Sequence, residues 1–241
     1  MGYNLTIDQG NSSAKVAVWH DETMIYDSVK RDLSASDIAE ITSLYPINAA
    51  IYCSVAQNGD AILAELQNRC GKVYELTSTL PTPITIDYRT PQSLGRDRIA
   101  AAVGAWTMCR GKWTLVVDLG TAITYDVVSP DGRFIGGNIA PGVEMRLEAL
   151  HRHTARLPRV KTTGDCPLWG YDTETALRSG AINGIIGELH HYRDSLSNDT
   201  IVVLTGGSAE IIASRLDFPT KLERHLVTKG LNSILIYNEN K

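Results

Sequence analysis

Hydrophobic and polar positions follow the same pattern in two well-separated stretches of the chain. The first runs from Leu5 to Ser12 and the second from Leu115 to Ala122. Each begins with apolar residues and ends in an Asp-x-Gly turn, and a further apolar segment follows, Ala14 to Trp19 or Ile123 to Val128. Internal repetition of this kind indicates that one structural unit has been duplicated. We therefore predict two related half-domains that face one another across a central cleft.

The rest of the first half predicts strands that alternate with helices. The apolar run Asn48–Ser54 has the length and composition of a buried parallel strand. Ser36 is a candidate cap for a helix over Asp37–Leu44, and the apolar spacing within Gly59–Cys70 is helical. Helices among strands, after an opening run of three strands, indicate an α/β domain with a mixed sheet.

The second half repeats the three-strand opening and then diverges. The pattern predicts helices over Val143–Leu150 and Thr173–Ser195, a buried strand over Ile201–Thr205, and a terminal helix over Thr228–Asn238. The expected architecture is α/β, with two half-domains that each contain a mixed sheet. We place them at residues 1–110 and 111–241.

Composition and charge exclude several classes of protein. Apolar residues make up 43% of the 241 residues and charged residues 21%, which is usual for a globular chain. The net charge of -4 and the lack of a basic cluster argue against nucleic-acid binding. No apolar run is long enough to span a bilayer. The four cysteines lack metal-ligand spacing, so we expect reduced thiols in a cytoplasmic protein.

The first Asp-x-Gly turn has the chemistry of a phosphate-binding loop. Gly10 permits tight backbone geometry, and the amides and hydroxyls that follow it can donate to phosphate oxygens. Lys15 adds a cation. An ordinary hairpin turn would explain one such copy, but two copies in register favour a binding role.

Two further segments carry carboxylates at element ends. Asp118 ends an apolar strand beside hydroxyl residues, and such oxygens suit hard cations such as magnesium or potassium. Asp97 lies at the start of a helix between Arg96 and Arg98. It has the chemistry to accept a proton from a substrate hydroxyl while an arginine holds an anionic group. The alternative is an aspartate that only complements the helix dipole.

Taken together, these motifs resemble those of the type III pantothenate kinases, a family of the actin, sugar-kinase and heat-shock-chaperone ATPase superfamily. The resemblance runs over almost the full chain and implies a duplicated ribonuclease H-like (actin-like ATPase) fold. The motifs are Asp8-Gln9-Gly10-Asn11-Ser12, Tyr88-x-x-Pro91 with Gly95-Arg96-Asp97-Arg98, Asp118 to Thr124, Gly136-Gly137-x-Ile139-x-Pro141-Gly142, Thr154-Ala155-x-Leu157-Pro158, and Thr173 before Ser179-Gly180.

The resemblance also implies a reaction and its requirements. The family transfers a phosphoryl group from ATP to the primary hydroxyl of pantothenate, giving 4'-phosphopantothenate in the first step of coenzyme A biosynthesis. It implies Mg²⁺ with ATP, and a monovalent cation, K⁺ or NH₄⁺. The family is dimeric, so a homodimer is expected, in which a partner subunit can supply part of the substrate wall.

Site residues are implied by the same resemblance. Asp97 would be the general base and Asp118 would hold the monovalent cation. The ATP-binding positions would be Asp8, Gln9, Gly10, Asn11, Ser12, Ser13, Ala14, Lys15 and Thr121. The pantothenate-binding positions would be Tyr88, Gly95, Arg96, Asp97, Arg98 and Thr173. Departures are few: Ser12 replaces a usual Thr, Asp172 replaces a usual Asn before Thr173, and Arg96 fills a variable position.

Other functions remain open at this level. A non-catalytic regulatory homologue would keep the fold without the activity, and a kinase for another small hydroxy acid or a phosphatase would use the same duplicated fold. The presence of Asp97, Arg98 and Asp118 together favours an active enzyme. The Tyr88–Arg98 segment favours pantothenate as the substrate.

Overall fold

The computed structural model describes residues 2–10, 13–54 and 59–241, which form two compact units. The first unit takes Met1–Arg110, Asp131–Phe134 and His225–Lys241, and the second takes Gly111–Pro130 and Ile135–Arg224. The division differs from the predicted half-domains because the C-terminal segment belongs to the first unit. Among the helices of the described residues, none is both long and apolar enough to cross a membrane.

The strands occupy two sheets. They are β1 (Tyr3–Gln9), β2 (Ala14–His20), β3 (Thr23–Lys30), β4 (Ile47–Ser54), β5 (Lys72–Glu75), β6 (Thr85–Ile86), β7 (Thr114–Leu119), β8 (Ala122–Val128), β9 (Arg133–Pro141), β10 (Ile201–Thr205) and β11 (Thr220–Leu222). The helices are α1 (Ala35–Leu44), α2 (Gly59–Arg69), α3 (Arg96–Met108), α4 (Val143–Arg152), α5 (Thr173–Asp194), α6 (Ala209–Ala213) and α7 (Leu226–Glu239). Most of the predicted elements are present, with ends that differ by a few residues.

The strand order confirms the predicted duplication. The first sheet runs β3-β2-β1-β4-β5, and the second runs β9-β8-β7-β10-β11 when read in the same direction. In the first sheet, β1 is antiparallel to β2 and parallel to β4; in the second, β7 is antiparallel to β8 and parallel to β10. The short strand β6 pairs in parallel with Arg133 and Phe134 at the start of β9.

The first helix begins two residues before its predicted start. Its N-cap is Ser34 rather than Ser36, because Asp37 stands three residues after Ser34 and completes a capping box. The Ser34 N–H donates to Asp37 Oδ2 at 2.9 Å, and Lys30 Nζ lies 2.8 Å from Asp37 Oδ1. Lys30 and Ser34 together lower the pKa of Asp37 to about 2.

The terminal helix α7 is held on the first unit by its close contact with α3. A Cβ atom on Gly230 would lie 1.8 Å from the Ala100 carbonyl oxygen, and one on Gly104 would lie 2.5 Å from the Leu226 carbonyl oxygen. The alanine-rich face of α3 allows this approach. Asn232, which is buried, extends the attachment, since it accepts a hydrogen bond from the Asn4 side chain at 3.0 Å.

We predict that Gly230→Ala lowers the free energy of unfolding by about 1–3 kcal/mol or more, because the new methyl group must displace backbone rather than a flexible side chain. Gly187→Ala on α5 is the matched control. A Cβ there would meet no described atom within 4 Å, so the higher helix propensity of alanine should raise the stability by about 0.5–1 kcal/mol. Urea denaturation of both variants measures the difference, and equal stabilities would contradict the close contact.

Candidate functional site

The first Asp-x-Gly segment forms a hairpin between β1 and β2. Asp8 pairs with Lys15, and Gln9 pairs with Ala14, across the antiparallel ladder. The Gly10 N–H donates to the Ser13 carbonyl oxygen at 3.0 Å and closes the turn. Four of the predicted ATP-binding residues are therefore strand residues. Two others, Asn11 and Ser12, lie outside the described residues.

Gln9 is held by a tyrosine from the neighbouring strand. The Tyr52 hydroxyl donates to Gln9 Oε1, and the Tyr52 ring is buried in the core of the first unit. Burial raises the pKa of this hydroxyl, which keeps it a donor at neutral pH. Tyr52 is not among the predicted site residues. The predicted strand over Asn48–Ser54 was a signal, because a buried tyrosine near a strand end needs a polar partner for its hydroxyl.

The carboxylates of Asp8 and Asp97 both raise the pKa of the buried Cys53 thiol. Asp8 and Cys53 are register partners on the parallel strands β1 and β4. Burial raises the pKa of the Cys53 thiol well above its usual value, and the carboxylates of Asp8 and Asp97 raise it further, while Arg96 lowers it. The end of β1 and the start of α3 therefore bring two predicted site carboxylates to the same part of the first unit.

Asp97 lies in the first turn of α3, with Gly95 as the N-cap. Its Oδ1 accepts a hydrogen bond from the Arg98 N–H at 2.9 Å. A Cβ atom on residue 95 would lie only 2.5 Å from that oxygen. The Asp97 carboxylate therefore occupies the space that a side chain at position 95 would need. Both residues are half-buried.

The two arginines beside Asp97 have different surroundings. Arg98 is buried, and its guanidinium lies 6.0 Å from the Tyr88 ring centroid and 5.8 Å from that of Phe134. Arg96 instead donates to the carbonyl oxygens of Leu94 at 2.9 Å and Gln92 at 3.2 Å, around the 3-10 turn Pro91–Ser93. The structure therefore groups Tyr88 with Arg98, whereas Arg96 supports the segment that precedes the helix.

Asp118 is the second-last residue of β7 and lies beside the end of β10. Its register partner on the parallel strand is Thr205, which is 1% exposed. The Thr205 Oγ1 has no hydrogen-bond partner among the described residues. Gly206 has a φ of +92°, and a Cβ there would lie 2.5 Å from Asp118 Oδ1. A carboxylate beside an unpaired buried hydroxyl fits a hard cation that takes oxygen ligands.

Thr121 follows this strand in a turn that contacts the end of β9. The Gly142 N–H donates to the Thr121 carbonyl oxygen at 3.0 Å, and a Cβ on Gly142 would lie 2.3 Å from the Gly120 carbonyl oxygen. The Thr121 side chain is exposed and borders a cavity of about 720 Å³, lined mainly by α4 and residues 159–163. Such a volume is within the range of small-molecule sites.

Thr173 is the first residue of α5 and is exposed. The helix is capped by Asp172, whose Oδ1 accepts a hydrogen bond from the Thr175 N–H at 2.7 Å. The hydrogen bonds from Thr175 lower the pKa of Asp172. The replacement of a usual Asn by Asp172 therefore keeps a side chain able to cap the helix. Asp8, Tyr88 and Asp97 belong to the first unit, whereas Asp118, Thr121 and Thr173 belong to the second.

Solved structures with this fold include sugar kinases. A ROK hexokinase from Thermus thermophilus matches with a TM-score of 0.55 at 15% identity, over 99% of this chain and 100% of the hexokinase. A structure described as a Baf family transcriptional activator from Campylobacter jejuni matches with a TM-score of 0.67 at 24% identity, over 98% and 100% of the two chains. At these identities the likeness establishes the fold, which is that of the actin-like ATPases and sugar kinases.

Sequence relatives define the family more closely. The profile of the type III pantothenate kinases matches residues 4–194. A type III pantothenate kinase of Azobacteroides pseudotrichonymphae is 40% identical over 98% of this chain and 97% of the relative. Another, from Bacteroides fragilis, is 39% identical over 99% of both chains. The chain belongs to the type III pantothenate kinase family.

Proposed function

We infer that the protein catalyses the ATP-dependent phosphorylation of pantothenate to 4'-phosphopantothenate, the first step of coenzyme A biosynthesis. Family membership supports the reaction. The observation on which the catalytic assignment depends is the placement of the Asp97 carboxylate over Gly95, in the same part of the first unit as Asp8.

The cytoplasm is the proposed compartment, since its reducing conditions keep cysteines as the free thiols seen at Cys53, Cys70, Cys109 and Cys166.

In the proposed mechanism, Asp97 is the general base. Its carboxylate accepts the proton of the primary hydroxyl of pantothenate while that oxygen forms a bond to the γ-phosphorus of ATP. The bond between the γ-phosphorus and the β–γ bridging oxygen breaks, and ADP leaves. Positioning and charge stabilisation supply most of the rate enhancement in such transfers, and the base adds a factor of about 10²–10⁴.

Tyr88 and the Gly95–Arg98 segment of the first unit are assigned to pantothenate binding. Thr173 is assigned to pantothenate separately, on family membership alone. Arg98 supplies a positive charge, and its contact with the Tyr88 and Phe134 rings fixes the guanidinium in orientation. A guanidinium is suited to the carboxylate of pantothenate because its fork matches carboxylate geometry. Arg96 acts on this site indirectly in our proposal, by holding the Pro91–Ser93 turn.

ATP is the proposed phosphoryl donor, with a divalent metal such as Mg²⁺ bound to its phosphates. The β1–β2 hairpin, residues 8–15, is assigned to the phosphates, with Lys15 as a cation beside Asp8 on the paired strand. Thr121 is assigned to ATP as well, and its position at the border of the cavity of about 720 Å³ supports this assignment. The metal would neutralise charge on the phosphates when bound.

We assign the monovalent cation, K⁺ or NH₄⁺, to Asp118. The Thr205 hydroxyl, unpaired within the described residues and in register with Asp118, supports this assignment. Gly206 has no side chain and so allows the Asp118 carboxylate to approach the backbone at the end of β10. Thr205 therefore joins Asp118 as a proposed ligand of the cation.

A homodimer is the proposed assembly, and an exposed apolar segment next to Thr173 supports it. Leu168, Trp169 and Tyr171 are 76%, 84% and 69% exposed. The backbone that carries them is fixed, because Arg178 donates to the Asp165 carbonyl oxygen at 2.7 Å and Asn183 donates to the Pro167 carbonyl oxygen at 3.0 Å. A rigid backbone that presents large apolar side chains to solvent is typical of an interaction surface.

We predict that Asp97→Asn abolishes pantothenate-dependent ADP release, with a fall in kcat of about 10²–10⁴, because an amide cannot accept the hydroxyl proton. Binding of ADP, measured by calorimetry, should be unchanged. Asp27→Asn, an exposed aspartate on β3, is the control and should keep full activity. Turnover of the Asp97 variant at the wild-type rate would refute the base assignment.

We predict that Thr205→Val removes most of the activation by potassium, because valine keeps the shape of threonine but offers no oxygen ligand. Asp118→Asn should have the same effect. Thr200→Val is the matched control, since Thr200 also has a buried hydroxyl unpaired in the described part of the chain. The measurement is ADP release against KCl concentration at constant ionic strength. A potassium response in Thr205→Val equal to that of Thr200→Val would exclude Thr205 as a ligand.

We predict that Trp169→Glu weakens the homodimer by at least about 2 kcal/mol, roughly 30-fold in Kd, because it places a charge in the proposed interface. Leu44→Glu is the control, since Leu44 is 64% exposed in the first unit. Sedimentation velocity across a concentration series gives both dissociation constants. A wild-type protein that stays monomeric at high concentration would contradict the homodimer itself.

A further inference from the structure

A chain of hydrogen bonds in the second unit ends at the turn that carries Thr121. Arg146, on α4, donates from Nη2 to both carboxylate oxygens of Glu188 on α5, at 2.8 Å and 2.7 Å. The Nε of the same guanidinium donates to the Pro141 carbonyl oxygen at 2.8 Å. One guanidinium therefore joins α5 to the last residue of β9. We call the set Glu188, Arg146, Pro141, Gly142 and Thr121 the Arg146 relay.

The next contact in the relay, between Gly142 and the Gly120–Thr121 backbone, is tightly packed. The Gly142 N–H donates to the Thr121 carbonyl oxygen at 3.0 Å. A Cβ on Gly142 would lie 2.3 Å and 2.5 Å from the carbonyl oxygens of Gly120 and Thr121, so the two backbones are already in contact. Because packed backbone transmits a shift rather than damping it, a movement of Pro141 and Gly142 moves Thr121.

The other end of the relay is fixed in the core of the unit. The Tyr125 hydroxyl donates to Glu188 Oε2 at 2.7 Å, and Tyr125 is 2% exposed. Burial, followed by the hydrogen bond to Glu188, raises the pKa of Tyr125, so the hydroxyl remains a donor. The Arg146 side chain is 17% exposed. Glu188 is therefore bonded to both Tyr125 and Arg146, and Arg146 is directed by two partners on different elements.

We propose that Arg146 is a positioning residue for ATP, which fixes the Thr121 turn through Pro141 and Gly142. An ion pair that served only to pack α4 on α5 would need the Glu188 contact alone, and the bond from Nε to Pro141 has no part in that packing. Support of this kind, behind a residue that touches the ligand, is what holds a binding geometry to a fraction of an ångström. The proposal rests on the contact between Thr121 and ATP under the proposed function.

The test compares Arg146→Lys and Arg146→Gln with the wild type. A lysine keeps the charge opposite Glu188, but its single ammonium lacks the rigid fork that joins Glu188 and Pro141. We expect KM for ATP to rise about tenfold in both variants, since small misplacements of binding groups carry effects of this size or larger. KM for pantothenate should change by less than about twofold. Arg224→Lys, in an exposed ion pair with Glu210, is the matched control and should behave as wild type.

A purely structural ion pair gives a different result. In that case the thermal midpoint falls in Arg146→Gln while KM for ATP stays at the wild-type value, and the proposal is overturned. If Arg146→Gln does not fold, Glu188→Gln keeps the shape of the relay without its charge, and an unchanged KM for ATP in that variant and in Arg146→Lys overturns the proposal equally.

A direct binding measurement separates this proposal from the proposed function. ADP affinity is measured by calorimetry on the wild type and on Arg146→Lys. A tenfold loss of ADP affinity supports the relay even if the wild type shows no pantothenate-dependent ADP release, which would refute the proposed reaction alone. Equal ADP affinities together with equal KM values for ATP refute the relay and leave the proposed reaction standing.

Discussion

Parallel pairing between two neighbouring strands at the centre of each sheet decides where the polar chemistry of this protein can lie. In the first sheet, β1 pairs with β4 and brings Asp8 level with Cys53. In the second, β7 pairs with β10 and brings Asp118 level with Thr205. The carboxyl ends of such strands are the usual place for ligands in open α/β sheets. Each carboxylate stands where its buried apolar strand ends, so its burial is limited while its position is fixed.

Close backbone contacts then set the geometry around each carboxylate. Gly95 gives the Asp97 side chain the space into which it folds, and Gly206 does the same for Asp118. Gly142 allows two turns to meet at the distance of a backbone hydrogen bond. At these positions any side chain would collide with carboxylate or backbone oxygen atoms, so the glycines shape the surroundings of the candidate site residues although they carry no functional group. Stiff surroundings of this kind reduce the reorganisation that phosphoryl transfer requires.

The duplication, most elements and the fold class could be predicted from the sequence, because the repeated Asp-x-Gly pattern and the apolar spacing are local signals. The attachment of α7 to the first unit could not, since it depends on the approach of Gly230 to Ala100, which are distant in the sequence. The predicted N-cap of α1, Ser36, was wrong for a local reason. Ser34 and Ser36 both suit that position, and only the capping box between Ser34 and Asp37 distinguishes them. The pairing of Thr205 with Asp118, and the contacts of Arg146 with Glu188 and Pro141, gave no sequence signal, because each joins residues from different elements.

The two ends of the duplicated sheets are no longer chemically alike. Cys53 and Thr205 occupy equivalent places beside the two repeated aspartates, so one copy presents a sulfur atom and the other an oxygen. A buried thiol that keeps its proton is a poor ligand for a hard cation, whereas a hydroxyl oxygen suits one. The two halves therefore share the same strand pairing but differ in the atom beside the aspartate. A single exchange of sulfur for oxygen thus makes one half better suited than the other to surround a hard cation.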